Sequence, residues 1–214
     1  GSDLLDYARS KFTETNEYIA QGTAPAKKKL RTKSIELAEN TGDMGIEIAA
    51  KTGARFYLRP QEVNALAKKV KDAGLKEVLK LDKGTGEYYL DLKVSDGTSK
   101  SGTFDRYVYV DKGTANLLID YINNGGSLTG KMSKVGQLIK NNKEINSGNK
   151  SPFYDYRKRV KSAAEKINFE DQSVMDYMLG HNKNRIDGIY KKLSVSEHIK
   201  LQKELHKKLG SPIE

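Results

Sequence analysis

The chain has 214 residues and a mass of 23.9 kDa, and it sets 38 lysines and arginines against 28 aspartates and glutamates, for a net charge of +10 and a pI of about 9.4. The absence of cysteine excludes disulfide frameworks, thiol nucleophiles and thiolate zinc sites, and with only His181, His198 and His206 as nitrogen ligands no metal or other cofactor is expected. A hydrophobic content of 36%, a mean hydropathy of -0.70 and no apolar run near the roughly 18 residues of a membrane span point to a soluble, folded chain of one domain with a short appendage, and away from a membrane partner.

The opening Gly1, Ser2, Asp3, without methionine, reads as the scar of a cleaved tag. Residues 3–20 have helix-forming composition with a partial apolar stripe at Leu5, Ala8 and Phe12, and Gly22, Thr23, Ala24 and Pro25 end it before Lys27, Lys28 and Lys29. Residues 1–29 are therefore expected to be scar, helix and basic linker, and 30–214 one larger domain. Ser34 is placed to cap a second helix through Ile35, Leu37, Met44, Ile46, Ile48 and Ala49 to a stop at Thr52 and Gly53, with Gly42 weakening its middle. Pro60 suits the first turn of a third helix carrying Val63, Leu66, Ala67 and Val70.

The texture then changes. Residues 88–94 and 104–110 are rich in aromatic and β-branched side chains and are separated by 95–102, which predicts a hairpin joined by a short strand near 78–81. Helical signals return over 115–123, 133–145, 152–167, 174–179 and 195–209, the last opened by Ser194 and Glu197 as a capping box. The fold class expected is α+β, mostly helical, with one small antiparallel β-sheet on its side.

Tyr190 follows His181 by nine positions in "LGHNKNRIDGIY", and tyrosine occupies a given position about once in 18 here (12 of 214), so the pair carries weight only in company. The company exists. "TGARFYLRPQEVNAL" holds Arg55, Arg59 and Glu62, "TSKSGTFDRYVYV" holds Lys100 at a hairpin turn, and "YDYRKR" holds Tyr154 and Arg157, with His181 falling 24 positions after Arg157. In this order and spacing the chain, from about Leu30 to Gly210, resembles the catalytic domain of the tyrosine recombinases, the phage integrase family, whose fold is shared by type IB topoisomerases.

The resemblance implies a site-specific DNA recombinase or integrase that cuts and rejoins strands through a 3′-phosphotyrosine, serving a phage or mobile element in a prokaryotic host, in the cytoplasm and associated with the nucleoid. It implies Tyr190 as nucleophile. Arg59 and Arg157 would fork onto the nonbridging phosphate oxygens, Lys100 would protonate the departing 5′ oxygen, and His181 would bind a phosphate oxygen or help accept the tyrosine proton. Glu62, one helical turn from Arg59, would orient that arginine. Phenolate at neutral pH costs on the order of 4 kcal/mol, so the cations must stabilise charge as it develops. Two alternatives stay open: Arg55 for the first arginine, though Arg59 has the matching proline and glutamate, and Lys93 or Lys83 for the lysine. The family's histidine three residues before the second arginine is Tyr154 here, a donor to phosphate but a poor base. Taken singly, Tyr190 also fits a core aromatic, Lys100 a solvated turn lysine, and Arg157 a surface charge.

Double-stranded DNA is the expected partner. From Lys131 onward lie 18 of the basic and 10 of the acidic residues, so that part carries +8 and the first 130 residues only +2. The predicted helix 133–145 displays Lys134, Gln137, Lys140, Asn141 and Lys143, types that pair with phosphates and purine edges, and the family lays the corresponding helix in the major groove. The resemblance further implies a homotetramer on DNA and a monomer off it, with the helix 195–209 where relatives exchange a helix between subunits. A topoisomerase-like relaxing enzyme, or a catalytically weak DNA-binding regulator with the same fold, are the alternative functions.

Overall fold

A computed structural model describes residues 35–142, 169–181, 183–184 and 190–208. Residues 35–40 are helical, and Gly42, in the left-handed region at φ 70°, ends that segment. The Asp43 carboxylate then accepts hydrogen bonds from the Gly45 and Ile46 N–H groups and starts α1 (Met44–Arg55). The single helix expected across 34–53 is thus two helices, because Gly42 and Asp43 combine a C-terminal stop with an N-cap; Ser34 lies outside the described residues.

Helix α2 (Pro60–Ala73) begins at the proline, and Val63, Leu66, Ala67 and Val70 face the core as their spacing predicts. A 3₁₀ turn (Leu75–Glu77) leads into β1 (Leu79–Asp82), β2 (Glu87–Leu92) and β3 (Arg106–Val110), an antiparallel sheet in the order β1-β2-β3. The register places Leu79 opposite Leu90, Leu90 opposite Val108 and Leu92 opposite Arg106. Asp111, accepting from the Thr114 N–H, starts α3 (Lys112–Asn123), three residues before the expected helix. Helix α4 (Lys131–Asn141) follows Gly130, again earlier than its pattern suggested, and α5 (Phe169–Leu179) begins five residues before the expected 174. A 3₁₀ turn (Tyr190–Lys192) and α6 (Val195–Lys208) complete the order. The expected helices at 3–20 and 152–167 lie outside the described residues. The chain is mostly helical with a small antiparallel sheet, in keeping with the α+β class. No described helix is long and apolar enough to cross a membrane.

Two apolar clusters form. Ile48, Leu58, Leu66, Leu90, Leu92, Val108 and Val135 belong to the larger one, which joins α1, α2, α3 and α4 to one sheet face. The smaller one gathers Tyr57, Phe104, Met175, Tyr177, Met178, Tyr190 and Leu205 around α5 and α6. Strand β3 is an edge strand, and side chains of α5 and α6 close it. The Tyr109 N–H donates to Gln202 Oε1 (2.8 Å), Gln202 Nε2 donates to the Tyr107 carbonyl (2.7 Å), and the Tyr107 N–H donates to the Tyr177 hydroxyl (2.7 Å). Gln202 thereby acts as a peptide group in place of a fourth strand.

Candidate active site

Tyr57 lies at φ 59°, a left-handed conformation that an aromatic residue adopts at a cost of roughly 1–2 kcal/mol. Its side chain and that of Leu58 are completely buried, and this burial holds the turn. The turn delivers Arg59, in extended conformation, as the residue that caps α2. Glu62, one turn into the helix, reaches back so that its Oε1 accepts from the Arg59 N–H (2.9 Å) and its Oε2 from Arg59 Nη1 (3.3 Å).

Glu62 is fully buried, yet its two oxygens have further donors. Arg106, itself 1% exposed, forks onto it with Nη1 at 3.0 Å from Oε2 and Nη2 at 3.1 Å from Oε1. The Lys100 N–H donates to Oε2 at 3.0 Å. Burial acts to raise the Glu62 carboxyl, but the Arg106 charge and its hydrogen bonds, with help from Arg59, outweigh burial and hold it at about 2. The carboxylate is therefore a permanent anion that gathers two guanidiniums and the hairpin backbone. Arg106 also donates from Nε to the Met178 carbonyl (3.1 Å) and from Nη1 to Ser99 Oγ (2.6 Å).

The C-terminus of α5 closes the same cluster. Gly180, at φ 69°, and His181 end the helix with the paired bonds of a Schellman motif, the Gly180 N–H donating to the Tyr177 carbonyl (3.1 Å) and the His181 N–H to that of Asp176 (2.8 Å). A Cβ on Gly180 would stand 3.3 Å from Arg106 Nη1 and 3.4 Å from Arg59 Nη1. The segments that carry Arg59, Lys100 and His181, far apart in sequence, thus meet at one pole around Glu62. Lys100 is exposed and Arg59 and His181 are half-buried, whereas Glu62 is buried.

Tyr190 is not at that pole. Its hydroxyl donates to the Glu170 carbonyl (3.5 Å), in the first turn of α5, and ten residues of helix, roughly 15 Å of axis, separate Glu170 from Gly180. Its ring stacks on Tyr177 (centroids 5.9 Å apart), and its carbonyl accepts from His198 Nε2 (2.9 Å). His198 stacks on Tyr177 at 4.2 Å and is buried; that burial lowers its pKa to about 4 even though the bond to Tyr190 acts in the opposite direction. Tyr190 lines a cavity of about 270 Å³ with Asp91, Lys93, Asp105, Tyr107, Tyr177, Lys191 and His198. Of the lysines weighed from sequence, Lys93 shares the tyrosine's cleft, where its Nζ lies 3.4 Å from Asp91 Oδ1; Lys100 shares the arginine's pole; and Lys83 sits in the β1–β2 turn at the other end of β2.

Tyr154 and Arg157 lie outside the described residues, as do Lys143 and the side chain of Arg55. On α4, Met132, Val135 and Ile139 are buried, while Lys134, Gln137, Lys140 and Asn141 form an exposed band on its outer side. Sequence reasoning gave no role to Arg106 or Gln202 and weighed His198 only as a nitrogen ligand. The signal for Arg106 was present: it shares the period-two face of Val108 and Val110, so an arginine there must be buried and must find a carboxylate. No protein-family model, curated protein or solved structure matches the chain.

Proposed function

We propose that this chain is the catalytic domain of a site-specific DNA recombinase or integrase of the tyrosine type. The observation that carries the reading is the meeting, around a buried and ionised Glu62, of the segments that bear Arg59, Lys100 and His181: Arg59 and the Lys100 N–H bond to Glu62, and Gly180, next to His181, packs against Arg59 Nη1, a set of residue types suited to a phosphodiester. In the proposed reaction the Tyr190 oxygen attacks phosphorus and gives its proton to neutral His181, the 5′ oxygen leaves with a proton from Lys100, and a 3′-phosphotyrosine conserves the bond for rejoining. Arg59 and Arg157 neutralise the phosphorane charge, no metal or nucleotide takes part, and a tetramer on DNA pairs two sites. The exposed band of α4 supplies phosphate and base contacts.

The position of Tyr190 makes one demand on this reading. The phenol must leave the Glu170 carbonyl and travel to the arginine pole, a movement that assembly on DNA would drive. The same position favours the second reading, a DNA-binding regulator that keeps the phosphate seat without the chemistry. Incubation with plasmid or with a nicked suicide duplex, followed by denaturing electrophoresis, separates the two. The recombinase reading expects a protein–DNA adduct that Tyr190→Phe abolishes and Arg59→Ala lowers by on the order of 100-fold or more; salt-sensitive binding with no adduct supports the regulator. Relaxation of supercoils with no recombinant product would instead indicate a topoisomerase-like enzyme.

A further inference from the structure

We infer that Arg106 is a positioning residue that sets Arg59, Lys100 and His181 against one another, without touching DNA. The inference rests on the phosphate-transfer reading for its consequence, but its geometry stands independently. Arg106 is bonded to three of the segments that build the pole. It grips Glu62 on α2 through Nη1 and Nη2, Ser99 beside Lys100 through Nη1, and the Met178 carbonyl in the last turn of α5 through Nε. Its own strand, β3, is pinned to β2 by the register of Leu92 with Arg106.

The guanidinium is at 0% exposure and cannot reach a phosphate, so it cannot be counted among the substrate-binding cations. Its fork fixes both oxygens of Glu62 in one plane, and the remaining lobes of that carboxylate then fix where Arg59 and the Lys100 backbone stand. A lysine at this position would keep the charge but could hold neither the fork nor the Nε bond to Met178. The hairpin, the start of α2 and the end of α5 would then lose their common reference, and displacements near 1 Å at a reacting centre cost on the order of 100-fold in rate.

The test uses the full chain with Arg106→Lys and, as a milder change that removes one neutral partner, Ser99→Ala. Two readouts are taken on each folded variant: the ¹H–¹⁵N resonances of the Arg59 Nε–H and His181 ring in the free protein, and the rate of covalent adduct formation on a nicked duplex. The positioning role predicts shifted Arg59 and His181 resonances in both variants. For Arg106→Lys it also predicts an adduct rate lowered on the order of 100-fold with duplex affinity and salt slope unchanged. A folded Arg106→Lys protein with wild-type resonances and rate overturns it. If Arg106→Lys does not fold, Ser99→Ala decides by the same resonances: movement supports the hub and none refutes it. Absence of any adduct from the wild-type chain defeats the recombinase reading alone, because the resonances test the hub without it.

Discussion

An ionised carboxylate withdrawn from water is tolerated only when paired and fully hydrogen-bonded, and Glu62 meets that condition with Arg106, Arg59 and the Lys100 N–H. The Arg59–Glu62 half of the cluster was readable from spacing, since residues three apart share a helix face. The Arg106 half needed the knowledge that β3 turns this arginine inward. His198 shows burial acting on the opposite sign of charge. The unfolded chain takes up a proton near pH 6.5 while the folded chain resists down to about 4, so this group's stabilisation is complete above 6.5 and is lost as pH falls toward 4. The loss amounts to about 3 kcal/mol. Glu62 adds a second loss at lower pH, from 4.5 toward 2, where its paired carboxylate must be protonated. Urea midpoints measured from pH 7 to 4 should therefore decline, and His198→Gln, which can still donate to the Tyr190 carbonyl, should flatten that decline between 6.5 and 4. An equally steep decline in the variant would remove His198 as its source.

At the scale of elements, the strongly patterned pieces were legible: the proline-led α2, the alternating strands and the Ser194-capped α6, where the Glu197 N–H donates to Ser194 Oγ (3.2 Å). Boundaries set by single polar residues were not. Asp43 and Asp111 each start a helix with one side-chain oxygen, a signal that periodicity in the apolar residues does not carry. The end of α5 is decided by Gly180, whose left-handed backbone lets the His181 N–H return to the Asp176 carbonyl. Gly180→Ala should cost about 1–2 kcal/mol in urea unfolding from the backbone alone. Its methyl group, at 3.3–3.4 Å from both guanidiniums, should also displace Arg59 and Arg106. An alanine variant with wild-type stability and unshifted arginine resonances would contradict this account of the cap.

For the whole molecule, the sequence placed Tyr190 beside His181 by nine residues of spacing, and spacing says nothing about which end of α5 the chain returns to. Tyr190 rests with its hydroxyl on the Glu170 carbonyl and its ring against those of Tyr177 and His198. This resting position is that of the core-aromatic alternative, and the nucleophile reading requires the tyrosine to leave it. On the basic surface Lys131 bonds Asp43, and Lys134 and Lys140 are exposed on α4. Duplex binding that neutralises about six phosphates should show a log–log salt slope near -5, and replacing Lys134 and Lys140 with alanine should reduce it by about 2. A slope unmoved by both substitutions would take α4 out of the interface.

Digestion of a trapped DNA adduct with nuclease and trypsin, followed by mass spectrometry, tests the central claim most directly. Tyr190 lies in the tryptic peptide 186–191, between Arg185 and Lys191. The recombinase account predicts nucleotide mass on that peptide at Tyr190 and its disappearance in Tyr190→Phe. Nucleotide on Tyr154, Tyr156 or any other residue, or no covalent nucleotide under conditions where the duplex is bound, would contradict it.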